Sequence, residues 1–586
     1  MTMLIFIIAK VVFMLYNSSQ VYSGHDILTV LWNGLSLDFS TSLYIIIVPF
    51  LVCAVSIWLG GIKTLRIIVR VYYLLIAIAM TLAFVADTSL YEFWLFKLDS
   101  SCLQYLETPT EAMASVSLGY IVIRFIVIAI VSYIIWWAYT HPHWRITPSN
   151  HRITESIVAL LCIPVIIIGI RGGLGESTTN IGQVYFSQNQ FLNHSAVNPV
   201  FNFIDSFDKA DADYSFMSDD ECSKIMSDLY NTQSINCDTL LNTQNPNIII
   251  ILLEGCGGEF TEIGGRTDIT PNLNKLAKEG IYFTNCYGNT WRTDRGTVCA
   301  LSGYPSFPTM SVMKIPSKSR SLPNIARTLQ NERGYYTSYI YGGDINFTNM
   351  RSYLISGGFE DLTWMKDYSA EEQKTAQWGV RDDITFKTLY QMATNTEQPF
   401  LIGFSTLSSH SPWDVPTKHF GDKVINSFHY LDECIGEFIN KLRKSESWKN
   451  TLVVMLPDHG IPYNGLDETS SLLNHIPMIW VGGAVKKPRQ IDQVCNQTDL
   501  PATLLGQLGI SHDEFTFSRD VLSSTYTKPF ATHTFDNGFS MVDSASFVSY
   551  DFVSNKVIAV EGHKNEQLLT FGKAILQAAS KDFKER

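Results

Sequence analysis

At 586 residues the chain is too long for one hydrophobic core and calls for two or more domains. Only 17% of residues are charged and the mean hydropathy of +0.08 is high for a soluble enzyme, but the apolar excess falls almost wholly before residue 172. The net charge of -12 argues against a nucleic-acid binder, which would carry a basic face, yet leaves room for a phosphate site built from a few arginines and a metal. The ten cysteines include no C-x-x-C pair and no zinc-ribbon spacing. Cys222 and Cys237 lie close together in a polar stretch read as outside the membrane, which allows one disulfide between them.

Crossing a bilayer takes about 20 mostly apolar residues. The runs 41–60, 65–86, 118–139 and 156–170 qualify or nearly do, and 2–16 is a shorter fifth candidate with Lys10 inside it. A signal peptide is the rival reading of that first run, but the small-residue cleavage site it needs is not evident. Lys63, Arg66 and Arg70 in one short loop, and Arg145 and Arg152 in another, mark both loops as cytoplasmic. Loops 17–40 and 87–117 hold almost no Lys or Arg and are expected outside. Five crossings then place everything after residue 172 beyond the inner membrane. Residues 25–38 have helical apolar spacing and read as an interfacial helix, and 91–113 mix aromatics with charge as interfacial segments do. Arg124, inside the fourth span, is expected to pair with Asp87 or a lipid headgroup.

Residues 172–245 are polar and read as a linker of helices and loops between a transmembrane domain, 1–171, and a catalytic domain, 246–586. From there strands and helices alternate: strands at 247–253, 281–286, 336–341, 400–404 and 451–456, helices at 271–279, 322–332, 380–395 and 426–444. Such alternation predicts a mostly parallel sheet covered by helices. Ligands bind outside the carboxyl ends of the strands in such sheets, and four strands here end on chemically useful groups. One stops at Glu254, one at Asp458-His459, one at Asp344, and one runs on to His410. Two carboxylates and an imidazole suit Mn²⁺, Mg²⁺ or Zn²⁺. The segment Arg292-Thr-Asp-Arg295 offers a hydroxyl, Thr293, flanked by two arginines. Bound to a metal, that hydroxyl loses its proton more readily and becomes a nucleophile for phosphorus. Arg292 or Arg295 would fork onto the oxygens of a phosphodiester, and His410, in Ser408-Ser-His-Ser-Pro-Trp413, would contact the oxyanion or protonate a leaving alkoxide. Each residue alone is unremarkable; their coincidence at successive strand ends makes the case.

Five apolar helices followed by ILLEG, PNLNKLAKEGIYFTNCY, RTDRG, SSHSPW and PDHG resemble the lipoteichoic acid synthase-like phosphoglycerol transferases of the alkaline phosphatase/sulfatase superfamily. The resemblance implies one divalent ion, often Mn²⁺, held by Glu254, Thr293, Asp458 and His459, with Thr293 as the nucleophile. It implies substrate contacts at His410, and at Asp344, Arg351 and neighbours for the headgroup, with Trp413 in the SSHSPW motif. The stretch Phe347-Thr-Asn-Met-Arg351 matches the family's arginine and departs from it at the aromatic position. The expected partners are a phospholipid donor, a glycan or polymer acceptor and the bacterial cell membrane, with no nucleic acid. A formylglycine sulfatase would need C/S-x-P-x-R, which is absent after the first strand. A phosphoethanolamine transferase shares the plan but usually has more paired cysteines. A plain phosphatase has little use for five membrane helices, and a decayed, purely sensory domain would be expected to have lost a ligand.

Overall fold

The computed structural model describes residues 1–17, 23–60, 63–94, 97–100, 102–103, 118–141, 151–187, 189–208, 213–230, 234–235, 238–536, 538–552, 554–563 and 565–586. The chain divides into two compact units, Met1–Lys209 and Ala210–Arg586.

The first unit contains α1 (Thr2–Tyr16), α2 (Gly24–Leu59), α3 (Lys63–Trp94), α4 (Leu118–Thr140) and α5 (Arg152–Arg171). Among the described residues, α2 to α5 are long and apolar enough to cross a membrane, and α1, at 15 residues, is shorter. The expected break between a surface helix at 25–38 and a span from 41 does not exist: α2 runs unbroken for 36 residues from a Ser23–Asp26 capping box. Asp38, the last residue of that stretch, lies inside the helix rather than at its end. It is fully buried, accepting from Lys10 Nζ and from Asn198 Nδ2, each at 2.8 Å. Lys10, the charge that made the first run doubtful, therefore ties α1 to α2. Arg124 does not meet Asp87, one of the two partners expected for it. Its Nε donates to Ser89 Oγ at 2.8 Å, it bonds the Tyr16 hydroxyl, and it lies over the Tyr120 ring at 4.3 Å. Asp87 is taken instead by Lys97 and by the Leu98 amide. Most of the 91–113 segment lies outside the described residues, as does Arg145.

Within the polar stretch 172–245, α6 (Gln190–Ala196) and α7 (Pro199–Asp205) pack on α2 and α3. Further on, α8 (Asp219–Leu229) belongs to the second unit. Cys222 lies on α8 as a buried thiol directed at the Ala574 carbonyl and has no disulfide among the described residues; Cys237, its expected partner, lies outside them.

The second unit is built on a sheet of nine strands among the described residues: β1 (Asn247–Leu253), β2 (Ile281–Tyr287), β3 (Tyr336–Tyr341), β4 (Asp361–Trp364), β5 (Phe400–Ser405), β6 (Thr451–Pro457), β7 (His475–Val481), β8 (Arg489–Ile491) and β9 (Cys495–Asn496). Their order is β4-β3-β5-β1-β6-β7-β2-β8, with β9 beside β2, and pairing is parallel except around β7, which is antiparallel to β6 and β2. Central β1 is buried on both faces, which is why it reads as an uninterrupted apolar run rather than an alternating one. Its Ile248, Ile250 and Leu252 join a core with α10 (Thr293–Ser302), α11 (Ile325–Arg333), α12 (Met350–Ser356) and α15 (Leu500–Leu508). Ile249, Ile251 and Leu253 face the other way, onto α9 (Pro271–Glu279), α13 (Asp382–Asn395) and α14 (Lys423–Leu442). The sequence reading did not foresee the second, antiparallel sheet of β10 (Ala531–Phe535), β11 (Gly538–Val542), β12 (Ser546–Asp551) and β13 (Lys556–Gly562). Its β11 and β12 are covered by α16 (Glu566–Glu585).

Candidate active site

Strand pairing brings the two halves of the site together. β1 and β6 lie side by side in parallel register, Leu253 opposite Pro457, so the residues that follow, Glu254 and Asp458-His459, emerge as neighbours. Thr293 is the first residue of α10, beyond a turn held by Asn289, whose Nδ2 donates to Asn496 Oδ1 and the Thr532 carbonyl while its Oδ1 accepts from the Ser306 amide. Gly296 explains how closely α10 approaches. A β-carbon there would come within 2.1 Å of the Asp458 carbonyl oxygen, so a side chain would push Thr293 away from the strand ends. From the far side, Gln497 Nε2 donates to the Pro457 and Asp458 carbonyls, both at 2.9 Å.

The Thr293 hydroxyl donates to Glu254 Oε2 at 2.9 Å and stands 3.5 Å from His459 Nε2. His459 Nε2 lies 3.6 Å from both Glu254 Oε1 and Asp458 Oδ2, and one donor atom from each of these three buried residues falls within 4.8 Å of the others. The Gly460 carbonyl accepts from His459 Nδ1 at 2.9 Å, which puts a ring proton on Nδ1 and leaves Nε2 facing the carboxylates. Asp458 Oδ1 is occupied by the amides of Gly255 and His459, each at 2.9 Å, leaving Oδ2 for the cluster. Burial and the adjacent Glu254 carboxylate push Asp458 up to about 7. Burial alone would lower His459, but Asp458 and Glu254 outweigh it and hold the imidazole up at about 10, so Nε2 also carries a proton that a bound cation would displace. Burial likewise opposes ionisation of Glu254, yet His459, and after it His410, pull it down to about 2. Two carboxylates sharing a dry site demand a positive charge, and the oxygen, oxygen and nitrogen donors fit a divalent cation.

Around this cluster the other candidate residues fall into two groups. His410 is near enough to act on the Glu254 carboxylate, and its Nδ1 bonds the Ser411 carbonyl at 2.8 Å. Trp413 follows in the same turn, its amide on the His410 carbonyl and its backbone left-handed at φ 58. Asp344 caps the turn after β3 by accepting from the Asn346 amide and side chain, and lies close to Arg351; burial lowers the Arg351 guanidinium while Asp344 opposes it. Tyr341 connects the two ends, since burial and then the carboxylates of Glu254, Asp458 and Asp344 push its phenol up. Arg292 and Arg295 behave differently from each other. Arg292 is exposed beside Thr293, its guanidinium 4.7 Å from the Trp291 ring. Arg295 is buried, spent on the same ring and on the Pro308 carbonyl at 3.3 Å.

Sequence reading passed over three residues here. Trp378 packs edge-on against His410 at 4.7 Å and Phe347 at 6.1 Å and donates to the Ser411 carbonyl, forming an aromatic wall; a lone tryptophan in a loop carries no signal of this. Asp382, at the start of α13, accepts from the Leu407 and Ser408 amides at 2.9 and 3.0 Å and so fixes the segment leading to His410. Tyr341, ending a strand, read only as part of the strand.

Residues 246–510 match the Sulfatase family. Lipoteichoic acid synthase 2 of Bacillus subtilis (strain 168) is 27% identical over 353 residues, 54% of this chain and 51% of that protein. Phosphoglycerol transferase I of Xanthomonas campestris pv. campestris (strain B100) is 24% identical over 309 residues, 47% of this chain and 43% of its own length. The chain thus spans about half the length of the curated relatives it matches. A crystal structure of an alkaline phosphatase superfamily protein from Vibrio parahaemolyticus superposes with a TM-score of 0.56 at 26% identity, covering 64% of this chain and 98% of that one. Residues 246–510 are thus similar to the sulfatases, and these matches together with the superposed structure support a lipoteichoic acid synthase-like member of the alkaline phosphatase/sulfatase superfamily.

Proposed function

We propose that this protein is a membrane-anchored, metal-dependent transferase that moves a phosphoglycerol headgroup from a phosphatidylglycerol-like lipid, through a covalent intermediate on Thr293, to a glycan or polymer hydroxyl. The observation that carries this reading is the Thr293 hydroxyl, 2.9 Å from Glu254, at the start of a helix that faces a buried carboxylate–imidazole cluster. The names of the relatives, a lipoteichoic acid synthase and a phosphoglycerol transferase, favour the phosphoglycerol headgroup. The basic residues Lys63, Arg66, Arg70 and Arg152 favour a multi-pass inner-membrane protein whose second unit lies outside the cytoplasm.

Glu254, Thr293, Asp458 and His459 would hold the ion, for which Mn²⁺ is the first choice and Mg²⁺ or Zn²⁺ the alternatives. Bound there, it would lower the pKa of the threonine hydroxyl and draw charge from the phosphate oxygens. Thr293 Oγ1, its proton released to solvent by way of Glu254, toward which it points, attacks phosphorus as the bond to the diacylglycerol oxygen breaks. His410 gives that leaving oxygen its proton. In the second step an acceptor hydroxyl attacks the same phosphorus, its proton passes to His410, and the Thr293 oxygen–phosphorus bond breaks, regenerating the Thr293 alkoxide for the next cycle. Arg292 and Arg351 meet the phosphate oxygens with forked hydrogen bonds. Asp344 receives a hydroxyl of the glycerol, and Trp413 closes the site over it.

Intact-mass spectrometry of the detergent-purified protein, incubated with Mn²⁺ and phosphatidylglycerol, is expected to show a glycerophosphate adduct mapping to Thr293 and absent from Thr293→Ala. An adduct formed only with phosphatidylethanolamine would reassign the headgroup. Headgroup release by Thr293→Ala at the native rate would remove the mechanism.

A further inference from the structure

The segment between β5 and α14 carries His410 and Trp413 at one end and a second cluster of metal-ligating side chains at the other. His429 and Glu433 are four residues apart on α14 and so share one face of it. His419 lies four residues before that helix begins and is folded back over its first turns by Asn426. The Asn426 side chain accepts from the His419 amide at 2.7 Å and the Phe420 amide at 3.2 Å, and donates to the Thr417 carbonyl at 2.5 Å. The three side chains then converge. His419 Nε2 is 3.2 Å and His429 Nε2 3.9 Å from Glu433 Oε1, and one donor atom from each residue falls within 4.8 Å of the others.

Three features separate this cluster from a casual surface contact. His429 Nδ1 donates to the Ile269 carbonyl at 2.9 Å, which fixes its proton there and turns the Nε2 lone pair toward the Glu433 carboxylate. Two acceptors facing each other are reconciled by a proton or by a cation, and a supporting carbonyl on the opposite nitrogen is how metal-bound histidines are oriented. The spacing also suits a metal. Ligand bonds of ~2.0–2.2 Å in a tetrahedron place donor atoms about 3.4 Å apart, and the observed 3.2 and 3.9 Å bracket that value. Finally, His429 is mostly buried against Phe420, 5.3 Å between ring centres, while His419 and Glu433 remain open on the solvent side, where water can complete the coordination.

We propose that His419, His429 and Glu433 form a second metal site, distinct from the Glu254–Asp458–His459 cluster, that takes a borderline divalent ion of the zinc type. Two imidazoles and one carboxylate favour Zn²⁺, Ni²⁺ or Cu²⁺ over the oxygen-preferring Mg²⁺ and Mn²⁺. Occupied, the site clamps the far end of the segment bearing His410 and Trp413 onto α14. The clamp's effect on turnover rests on the function proposed above, whereas the binding itself does not.

Zinc content of the full-length, detergent-purified protein tests this, after chelation and equilibration with Zn²⁺ alone. An Asp458→Ala background removes one ligand from the first cluster, so failure there is not confused with failure here. In that background the proposal requires one zinc per chain, lost when His419→Ala or His429→Gln is added. Losing a ligand costs more than the ~10–100-fold that losing a supporting residue does. His419 is exposed, so its replacement leaves the fold intact, and Co²⁺ in place of Zn²⁺ should give a visible absorption band that disappears in the same variants. No zinc in the Asp458→Ala protein, or zinc and a Co²⁺ band that survive His419→Ala, overturns the second site.

Discussion

Position distinguishes Thr293 from the chain's other threonines: a strand-end carboxylate on one side, a buried imidazole beyond it and a glycine three residues on that lets the helix come close. A neighbouring acid shows the opposite case, a charge with nothing to hold it. Glu259 is 8% exposed and neither carboxylate oxygen has a well-formed hydrogen bond among the described residues. Burial pushes it up to about 8, above the ordinary 4.5 it has when unfolded, with backbone amides and, more weakly, His459 opposing. Between those two values the folded protein holds a proton that the unfolded chain has released, so stability falls as pH rises through that window and is low and flat above it. Glu259→Gln keeps the shape and removes the titration. The metal-saturated variant should melt above the parent at pH 8.5 and close to it at pH 4.5. An unsatisfied buried group costs about 1–3 kcal/mol, and each kcal/mol moves the midpoint by about 2–4 °C in a domain of this order of size. Equal midpoints at pH 8.5 would mean that Glu259 has a partner in solution.

At the scale of elements, the strands that carry the site were legible because each is a short, largely buried run, apolar throughout in β1 and nearly so in β5 and β6, that leads into a charged or polar residue. For β1, β3, β5 and β6 the sequence limits and the structural ones agree to within one residue. The second sheet was missed although the Asp-Asn-Gly between β10 and β11 is a strong hairpin signal, because its strands interleave serine and threonine with apolar residues and imitate loop. At α2 the apolar spacing of 25–38 read as an interfacial helix, and nothing local in the sequence shows that Asp38 is buried against Lys10. The convergence of Glu254, Asp458 and His459 was readable from strand ends, whereas Thr293 was singled out by its flanking arginines and by the family resemblance. The residues that steady them, Asp382 and Gln497, act through contacts too distant in sequence to leave a pattern. Asp382 joins the start of α13 to the segment after β5, and burial pushes its carboxyl up to about 6 while the Leu407 and Ser408 amides pull the other way. Asp382→Asn trades an acceptor for a donor opposite one of those amides. A misplacement of about 1 Å can cost up to ~100-fold in rate, so kcat for headgroup release should drop by about 10–100-fold with metal content unchanged. If kcat holds, or if metal is lost along with activity, Asp382 is not a positioning residue for His410.

For the whole molecule the question is why a site complete within one unit should be joined to a bundle of apolar helices. All four cluster residues, His410, Asp344 and Arg351 lie within Ala210–Arg586, a unit with cores of its own on both faces of its sheet. The bundle adds none of these groups. With a net charge of -12 the chain has no general attraction for an anionic bilayer, so under the proposed function tethering has to supply the encounter with a lipid donor. Linking a module to the surface it works on makes the second encounter intramolecular, with gains of about 10²–10⁴ over the free module. Ala210–Arg586 produced alone should therefore fold and bind metal as the full chain does, and release headgroups from phosphatidylglycerol dispersed in detergent micelles at a comparable kcat. On phosphatidylglycerol vesicles its rate should fall by about 10²–10⁴ relative to the full chain reconstituted in the same vesicles. Equal vesicle rates would show that the helices do not serve to hold the enzyme at its donor. Loss of activity in micelles as well, with metal still bound, would instead give the bundle a direct part in the chemistry.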